Sequence, residues 1–198
     1  MSNVAAGLPN RGKTYHAGTP SSIGRSVDLE GTEVHFEDDQ VVAGGPNTKR
    51  SGRTQLCRLV RNASGITLEP KRAVKWQAGY RGTRVDGYCS STAEECAGVV
   101  DDQLSSSGVA SNDLFYIVRN GPCFVKTDLA GGAANVIAEG DLLVALTAAS
   151  SQATTAGRIA SGSSANAAHV LNRLGKAMAA ATTAQTNHDL LVDLDILN

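Results

Sequence analysis

The C-terminal stretch NRLGKAMAAATTAQTNHDLLVDLDILN (residues 172–198) decides whether this protein has a helical or an all-β fold. A helix would place five apolar side chains on one face: Val170, Leu171, Leu174, Met178 and Ala181. Alanine favours that helix, whereas Gly175 in its middle costs about 1 kcal/mol relative to alanine. As a strand, the same stretch would line one face with glycine and alanine, which suits a crowded barrel interior. The residues by themselves leave both structures open.

The end of this stretch, HDLLVDLDIL (residues 188–197), has the pattern of a strand. Apolar and acidic side chains alternate in the order Val192, Asp193, Leu194, Asp195 and Ile196. Because successive side chains of a strand point to opposite faces, one face would be buried and the other would contact water. A terminal strand needs a neighbour to pair with, and the nearest candidate in sequence is RLGKAMAAA (residues 173–181).

The chain between residues 55 and 165 also favours strands. Short runs of alternating apolar and polar residues, such as QLCRLVRN (residues 55–62), are bounded by turn residues at intervals of about eight to twelve residues. In DLFYIVRNGPCFV (residues 113–125), Asn120 and Gly121 lie between two apolar runs, which is the strongest hairpin signal in the chain. The pattern predicts an all-β fold, a small β-barrel or sandwich of short antiparallel strands.

Residues 1–53 differ in composition from the rest of the chain. Three of the five prolines fall here: Pro9, Pro20 and Pro46. Proline and glycine at this density break helices and interrupt strand pairing, and the only strand-like piece is EVHF (residues 33–36). We therefore expect a long extended N-terminal arm at residues 1–53, ordered mainly by what it contacts, and a β-barrel domain at residues 54–198.

The composition indicates a sparse apolar interior. Of the 198 residues, 41% are hydrophobic but only 4% are aromatic, and 21 are glycine. The core must then consist of Val, Leu, Ile and Ala, and we expect burial against further copies or a partner to supplement it. No segment approaches the ~20 consecutive apolar residues of a membrane span. The first residues contain no apolar run of a secretory signal, so we expect synthesis in the cytoplasm and no membrane partner.

Charge is distributed unevenly along the chain. Residues 1–84 carry 13 Lys and Arg against 7 Asp and Glu, whereas residues 85–198 carry 5 against 12. The two parts could attract each other, or the basic part could bind nucleic acid. The segment KRAVKWQAGYRGTR (residues 71–84) is the candidate for that, because its cations and Trp76 could contact bases. Since the basic residues are dispersed, we expect no nucleic-acid partner and expect Trp76 to be a core or interface anchor.

No pattern in the chain indicates an enzyme. The acidic pairs Asp38 and Asp39, Glu94 and Glu95, and Asp101 and Asp102 are expected to be solvated loop charges, because strand neighbours point to opposite faces. No serine lies in a nucleophile elbow, and NRGKT (residues 10–14) lacks the length of a phosphate-binding loop. We expect all four cysteines to be buried free thiols: Cys57, Cys89, Cys96 and Cys123. We predict no catalytic residues, no cofactor and no metal site.

The C-terminal half resembles the decoration, or cement, proteins of tailed-phage heads. The stretches that carry the resemblance are AGVVDDQ (97–103), DLFYIVRNGPCFVKTD (113–128), IAEGDLLVALTAA (137–149), LGKAMAAATT (174–183) and LLVDLDIL (190–197). Their order and spacing match over about half of the chain. The resemblance implies that residues 174–181 form a strand. It also implies a small β-barrel that is commonly trimeric and lies on the outside of the capsid lattice.

From this resemblance we expect a structural virion protein of a bacteriophage. It would be a homotrimeric capsid cement protein that binds the outside of the major capsid protein lattice and stabilises the head. It would be synthesised in the host cytoplasm and located on the capsid exterior, with the arm at residues 1–53 lying across the shell. The alternative is a nucleic-acid-binding β-barrel that uses residues 71–84.

Overall fold

The computed structural model describes residues 11–16, 29–40, 48–90, 94–127, 137–145, 159–161, 173–181 and 188–196. These residues form eleven strands, and none of them lies in an α-helix. In chain order the strands are β1 (Tyr15–His16), β2 (Glu33–Gln40), β3 (Thr48–Asn62), β4 (Ala73–Trp76), β5 (Arg84–Tyr88), β6 (Cys96–Val100), β7 (Asp113–Lys126), β8 (Leu142–Ala145), β9 (Ile159–Ser161), β10 (Arg173–Ala177) and β11 (Asp189–Asp195). The predicted all-β fold class is confirmed.

Five strands close into a first ring. Neighbours follow the order β3, β5, β4, β6 and β7, and β3 also pairs with β7, which closes the ring. The β3–β5 pairing is parallel and the other pairings are antiparallel. Not all strands are short, since β3 has 15 residues and β7 has 14. All five strands contribute to one buried apolar cluster, with members such as Val60, Val74, Val85, Val100 and Phe115.

The second part of β7 belongs to a second ring. β11 lies antiparallel to it, with Asp189 opposite Lys126 and Asp195 opposite Asn120. β10, β8 and β9 follow in that order, and Ile159 of β9 forms a parallel bridge with the residue directly after β7. The path therefore returns to β7, so this long strand is shared by two barrel-like rings.

The C-terminal stretch, for which the sequence alone allows either a helix or strands, forms a pair of strands. β10 and β11 run antiparallel, with Gly175 opposite Leu194. Along β11, Leu190, Val192 and Leu194 are buried, and the positions between them are less buried. The predicted alternation of β11 and its pairing with the preceding strand are confirmed, but that strand ends at Ala177 and not at residue 181 as expected. The predicted crowding is also present, because a Cβ atom at Gly175 would overlap the carbonyl oxygen of Asp193.

The hairpin predicted at Asn120 and Gly121 is wrong, because β7 continues through both residues. Asn120 is paired on both sides, with Leu56 of β3 and Asp195 of β11. Gly121 has a φ of 91°, and the register of β3 shifts beside it. The two residues therefore lie at a bulge where β7 passes from the first ring to the second. Pairing along both edges outweighs the local preference for a turn.

The predicted boundary between residues 53 and 54 lies inside β3. β2 runs antiparallel to β3, with Glu33 opposite Arg58 and Glu37 opposite Thr54, and β1 pairs with the start of β7. The described residues of the predicted arm are therefore part of the β structure, because their backbone groups hydrogen-bond to other strands. The rest of the predicted arm, residues 1–10, 17–28 and 41–47, lies outside the described residues.

A second apolar cluster extends across both rings. It is built from valine, leucine, isoleucine, alanine and cysteine, as the composition predicts, with few aromatic rings. The aromatic contact within it joins Phe36 of β2 to Tyr116 of β7, at 5.1 Å between ring centroids. All four cysteines are buried and free, which confirms the prediction for them.

Candidate interaction surface

The basic segment at residues 71–84 is occupied by ion pairs. Each of its five cations has a carboxylate partner: Lys71 with Asp189, Arg72 with Glu69, Lys75 with Glu94, Arg81 with Glu95, and Arg84 with Glu30. A cation that is already paired must share or give up its partner to bind a phosphate. The segment therefore does not present a row of unpaired positive charges.

Glu33 of β2 is shared by two arginines from different strands. Arg58 of β3 donates to it from Nε at 3.0 Å and also from Nη2, and Arg119 of β7 donates at 3.3 Å. Both guanidinium groups lie over the indole ring of Trp76, at 5.8 and 6.0 Å from its centroid, within the range of cation–π contacts. Burial, and then the charge of Arg58, lowers the pKa of Arg119.

Glu30 is shared in the same way by a second pair of arginines. It is buried and accepts from Arg61 at 2.5 Å and from Arg84 at 3.1 Å. The guanidinium carbon of Arg84 lies 4.2 Å from the ring centroid of Tyr80, whose side chain is 46% exposed. Together with the Glu33 group, four arginines share two glutamates, so these six side chains carry a surplus of positive charge.

The loop between β4 and β5 (residues 77–83) joins the two groups. The Gln77 N–H donates to the Arg84 carbonyl at 3.0 Å, and the Tyr80 N–H donates to the Gln77 carbonyl at 3.0 Å. Gly82 has a φ of 89°, and a Cβ atom there would lie 3.1 Å from Nη1 of Arg58. Glycine thus permits both the backbone conformation and the close approach of Arg58. We call the combined site the arginine surface: Glu30, Glu33, Arg58, Arg61, Trp76, Tyr80, Arg84 and Arg119.

A different group of charges lies in the interior, and we call it the buried charge group. Arg11 donates to Asp101 at 2.9 Å and to Asp102 at 2.7 Å, and these three side chains are at most 6% exposed. The backbone N–H of Gly12 donates to Asp101, and that of Phe124 donates to Asp102, each at 2.9 Å. The segment before β1 is therefore fixed to the loop after β6.

The expectation that Asp101 and Asp102 are solvated loop charges is wrong, because both side chains are 1% exposed. It is also wrong for Asp38, which lies in β2 and is fully buried. The burial of Asp101 and Asp102 is compatible with charge because Arg11 and backbone N–H groups bind them. Burial raises the pKa of Asp101, and the Arg11 charge opposes that rise. Burial likewise raises the pKa of the Cys57 thiol, and the positive charge of Arg11 again opposes that rise. The ion pairs of Arg11 with Asp101 and Asp102 also join the basic part of the chain to the acidic part.

The acidic side chains of β11 lie on its more exposed face, as the alternating pattern predicts. Asp193 binds Arg53 at 3.0 Å, and Asp195 binds Arg173 at 3.4 Å. Both pairs line a cavity of about 290 Å³ formed by residues of β3, β7, β10 and β11. Each of the two aspartates therefore binds its own arginine, so Asp193 and Asp195 do not form a common site. In the described ranges, no group of three or more His, Cys, Asp or Glu side chains could hold a metal ion.

Sequence reasoning missed most of the arginine surface. Arg58, Arg61 and Arg119 belong to β3 and β7, and Glu33 lies 25 and 86 residues away from the first and last of them. Strand pairing, not spacing along the chain, brings them together. A signal was present in QLCRLVRN (residues 55–62), where Arg58 and Arg61 interrupt the apolar residues of a strand.

Comparison with known proteins provides no family assignment. No protein-family model matches the sequence, and a search of curated proteins finds no match. Among the residues that the structure describes, no helix is long and apolar enough to cross a membrane.

Proposed function

We propose that this protein is a capsid cement protein, which binds the outside of the major capsid protein lattice of a phage-like head and stabilises the assembled shell. The observation that supports a binding role is the arginine surface, where four guanidinium groups share two carboxylates beside an indole ring and an exposed tyrosine. Trp, Tyr and Arg are the residues that most often dominate the energy of protein–protein interfaces. The capsid as the partner rests on the resemblance to decoration proteins.

The charge of the arginine surface indicates the chemistry of the proposed partner. Glu30 and Glu33 leave part of the positive charge of the four arginines unmatched. A region of the shell protein rich in Asp or Glu would supply carboxylates for that charge. Arg58 and Arg119 are already held by Glu33 and Trp76. Their side chains would therefore lose little conformational freedom on binding.

We further propose that the protein acts as a homotrimer on the capsid exterior. Several copies of one modest contact surface, held together, bind a repeating lattice much more tightly than one copy does. A ligand that binds the assembled shell and not its free subunits stabilises the shell by mass action. Sedimentation equilibrium of the purified protein tests this proposal, and a mass that stays that of one chain at all concentrations contradicts it.

Shell binding is the direct test of the proposed function. Purified protein is mixed with empty expanded shells assembled from a major capsid protein of the same genome, and bound protein is measured by cosedimentation. We expect saturable binding and a higher disassembly temperature of the shells. Arg58→Ala should weaken binding by about tenfold or more, as for a typical interface hot spot.

Arg53→Ala is the matched control, because Arg53 is an exposed arginine of the same strand that lies outside the arginine surface. It should bind shells as the unchanged protein does. If the folded, unchanged protein does not bind shells saturably, the cement function is overturned. If Arg53→Ala and Arg58→Ala weaken binding equally, the arginine surface is not the contact.

The nucleic-acid alternative is tested with the same preparation. Because every cation of residues 71–84 has a carboxylate partner, we expect no measurable binding to duplex or single-stranded DNA. Nucleic-acid binding through that segment would require an affinity that falls steeply with salt concentration. If the protein binds DNA with such a salt dependence, and this binding is lost when Lys75 and Arg81 are substituted, then nucleic-acid binding replaces the cement function.

A further inference from the structure

The arginine surface consists of two halves that hold their shared glutamate differently. The Glu30 half contains Arg61, Arg84 and Tyr80, and the side chain of Glu30 is only 4% exposed. Arg61 donates to one oxygen of Glu30, Oε1, and Arg84 donates to the other, Oε2, at 3.1 Å. Both carboxylate oxygens are therefore engaged, and water hardly reaches them. Withdrawal of Glu30 would leave Arg61, which is itself 12% exposed, without this partner, so the Glu30 half is fixed.

The Glu33 half contains Arg58, Arg119 and Trp76, and its glutamate is 40% exposed. Three hydrogen bonds end on the same oxygen of Glu33, Oε1: two from Arg58 and one from Arg119. Because one carboxylate oxygen has two lone pairs, three donors compete for it. The contact with Arg119 is accordingly long, 3.3 Å, whereas charge-assisted hydrogen bonds usually measure about 2.7–2.9 Å. Glu33 therefore matches the two guanidinium groups incompletely.

The two guanidinium groups are shielded from solvent more than the glutamate that binds them. The side chain of Arg119 is 7% exposed and that of Arg58 is 21% exposed. Water therefore screens their positive charges only in part. Burial, and then the charge of Arg58, lowers the pKa of Arg119, so the two cations oppose each other in spite of Glu33. A carboxylate that binds both cations better than Glu33 does would stabilise them, and the place of Glu33 can be reached from solvent.

We propose that the Glu33 half binds a carboxylate group of the partner protein, which takes the place of Glu33 on Arg58 and Arg119. A carboxylate that approaches from solvent can use both of its oxygens, one for each guanidinium group, whereas Glu33 uses one oxygen for both. Glu33 is then an internal competitor that keeps the two cations paired in the free protein. That the partner is the shell protein rests on the proposed function, whereas carboxylate binding does not.

Release of Glu33 requires little rearrangement. Glu33 is the first residue of β2, and β2 is the first strand in the order of the sheet. Because its side chain is already 40% exposed, a change of rotamer is enough to bring the carboxylate into water. The indole ring of Trp76 stays against both guanidinium groups, whose carbon atoms lie 5.8 and 6.0 Å from its centroid. The two cations are therefore in position before a ligand binds.

A short acidic peptide tests carboxylate binding without a shell. The full-length protein is titrated with N-acetyl-tetraglutamate amide, whose carboxylates are all on side chains, and with the corresponding tetraglutamine peptide as the uncharged control. Trp76 is the only tryptophan of the chain and contacts both arginines, so its fluorescence reports the exchange. We expect saturable binding of the glutamate peptide at low salt and none of the glutamine peptide. No saturable binding of the glutamate peptide, or tighter binding of inorganic phosphate, overturns the proposal.

Two alanine variants test the role of Glu33 as a competitor. Glu33→Ala removes the competing carboxylate, so peptide binding should tighten about fivefold, the size expected for one exposed ion pair. Glu37→Ala removes an exposed glutamate of the same strand, outside the arginine surface, and changes the net charge equally. It should change peptide binding less than about twofold, because solvent screens its charge. Equal tightening in both variants would mean that net charge acts alone and that Glu33 does not compete.

Arg58→Ala and Arg53→Ala locate the contact. Arg58 provides two of the three hydrogen bonds to Glu33, so its removal should weaken peptide binding about tenfold. Arg53, an exposed arginine of the same strand outside the arginine surface, provides the control, and its removal should leave peptide binding unchanged. Equal weakening would place the peptide elsewhere and contradict the proposal. Circular dichroism melting of each variant confirms that it is folded before binding is measured.

The shell experiment separates this proposal from the proposed function. Peptide binding that tightens in Glu33→Ala, without shell binding, leaves the carboxylate site in place and overturns the cement function. Shell binding by the unchanged protein, without saturable peptide binding, overturns the carboxylate site and leaves the cement function.

Discussion

The buried charge group and the arginine surface use the same kinds of side chain in opposite ways. In the buried charge group, Arg11 meets two carboxylates, Asp101 and Asp102, and water reaches almost none of them. In the arginine surface, cations outnumber carboxylates, and Glu33 is 40% exposed. An ion removed from the first group leaves a charge that water cannot solvate, whereas at the more open positions of the second group, Glu33 and Arg84, water or a partner protein can replace one. The first group therefore serves the fold, and the second is available for binding.

The largest predicted effect comes from breaking the buried charge group. Arg11→Met keeps the length of the side chain but removes the cation, so the buried ion pairs of Arg11 with Asp101 and Asp102 are lost. We expect the free energy of unfolding to fall by about 3–5 kcal/mol, the usual cost of leaving buried charge unmatched. Urea denaturation followed by circular dichroism measures the change.

Arg53→Met is the control for this prediction. It removes an arginine from an ion pair with Asp193 in which the arginine side chain is 50% exposed. Exposed pairs contribute about 0–1 kcal/mol, so this variant should change stability by no more than that. Equal losses in the two variants would contradict the contrast between buried and exposed charge.

The same contrast between enclosed and open positions applies to two glycines with positive φ. A Cβ atom at Gly121 would overlap the carbonyl oxygen of Thr54, whereas one at Gly65 would contact nothing within 4 Å. Gly65→Ala should cost about 1–2 kcal/mol for the left-handed backbone alone. Gly121→Ala should cost a further ~1–3 kcal/mol, because the bulge in β7 must move away from β3. Thermal and urea unfolding compare the two variants, and equal losses would mean that the bulge tolerates a side chain.

The hairpin prediction failed at this glycine for an identifiable reason. Asn120 and Gly121 have strong turn propensity, and the sequence holds no local sign that β3 and β11 pair with β7 on its two edges. In contrast, β11 was predictable, because the alternation of Val192 and Leu194 with aspartate is local. Patterns within one strand are readable from sequence, whereas the choice of neighbours depends on residues far away along the chain.

The arginine surface could not be predicted from the sequence for the same reason. Residues 71–84 form the basic segment that the sequence indicates as a nucleic-acid site, but their carboxylate partners come from four other places in the chain, such as Glu30 and Asp189. In the sequence, Arg11 belongs to the proline- and glycine-rich segment that predicts an arm, and no residue near it indicates that it binds Asp101. Charge pairing is a tertiary property, so the net charge of each segment left attraction between the two parts of the chain as one of two alternatives and did not identify the partners.

Asp189 is an intermediate case between buried and exposed charge, and its effect should depend on pH. It is about one-third exposed and binds Lys71 and Lys126. Burial opposes ionisation, but hydrogen bonds from Lys126 and Lys71 outweigh it and lower the pKa of Asp189 below its ordinary value of 3.8. The folded state then holds this proton less tightly than the unfolded state. The stabilisation is therefore present above pH 3.8 and is lost as the pH falls through the lower, folded-state pKa.

Asp189→Asn tests this dependence. Because the group is partly exposed, we expect a loss of about 1 kcal/mol at neutral pH. The difference from the unchanged protein should shrink as the pH falls below 3.8. Urea unfolding at a series of pH values measures it, and Asp86→Asn, which removes an exposed aspartate, controls for net charge. A difference that is constant across the series would mean that ionisation of Asp189 does not contribute.

The smallest predicted effect on stability comes from the arginine surface itself. Glu33→Gln removes the carboxylate that Arg58 and Arg119 share, but Glu33 is 40% exposed and the glutamine oxygen can still accept from Arg58 and from Arg119, which is itself only 7% exposed. The free energy of unfolding should change by less than about 1 kcal/mol, as it should for Glu37→Gln, an exposed position on the same strand. Shell binding should differ between the two, because Glu33→Gln adds to the surplus charge and makes association faster and more sensitive to salt. A loss of stability as large as that of Arg11→Met would mean that Glu33 and its arginines serve the fold and are not held ready for a partner.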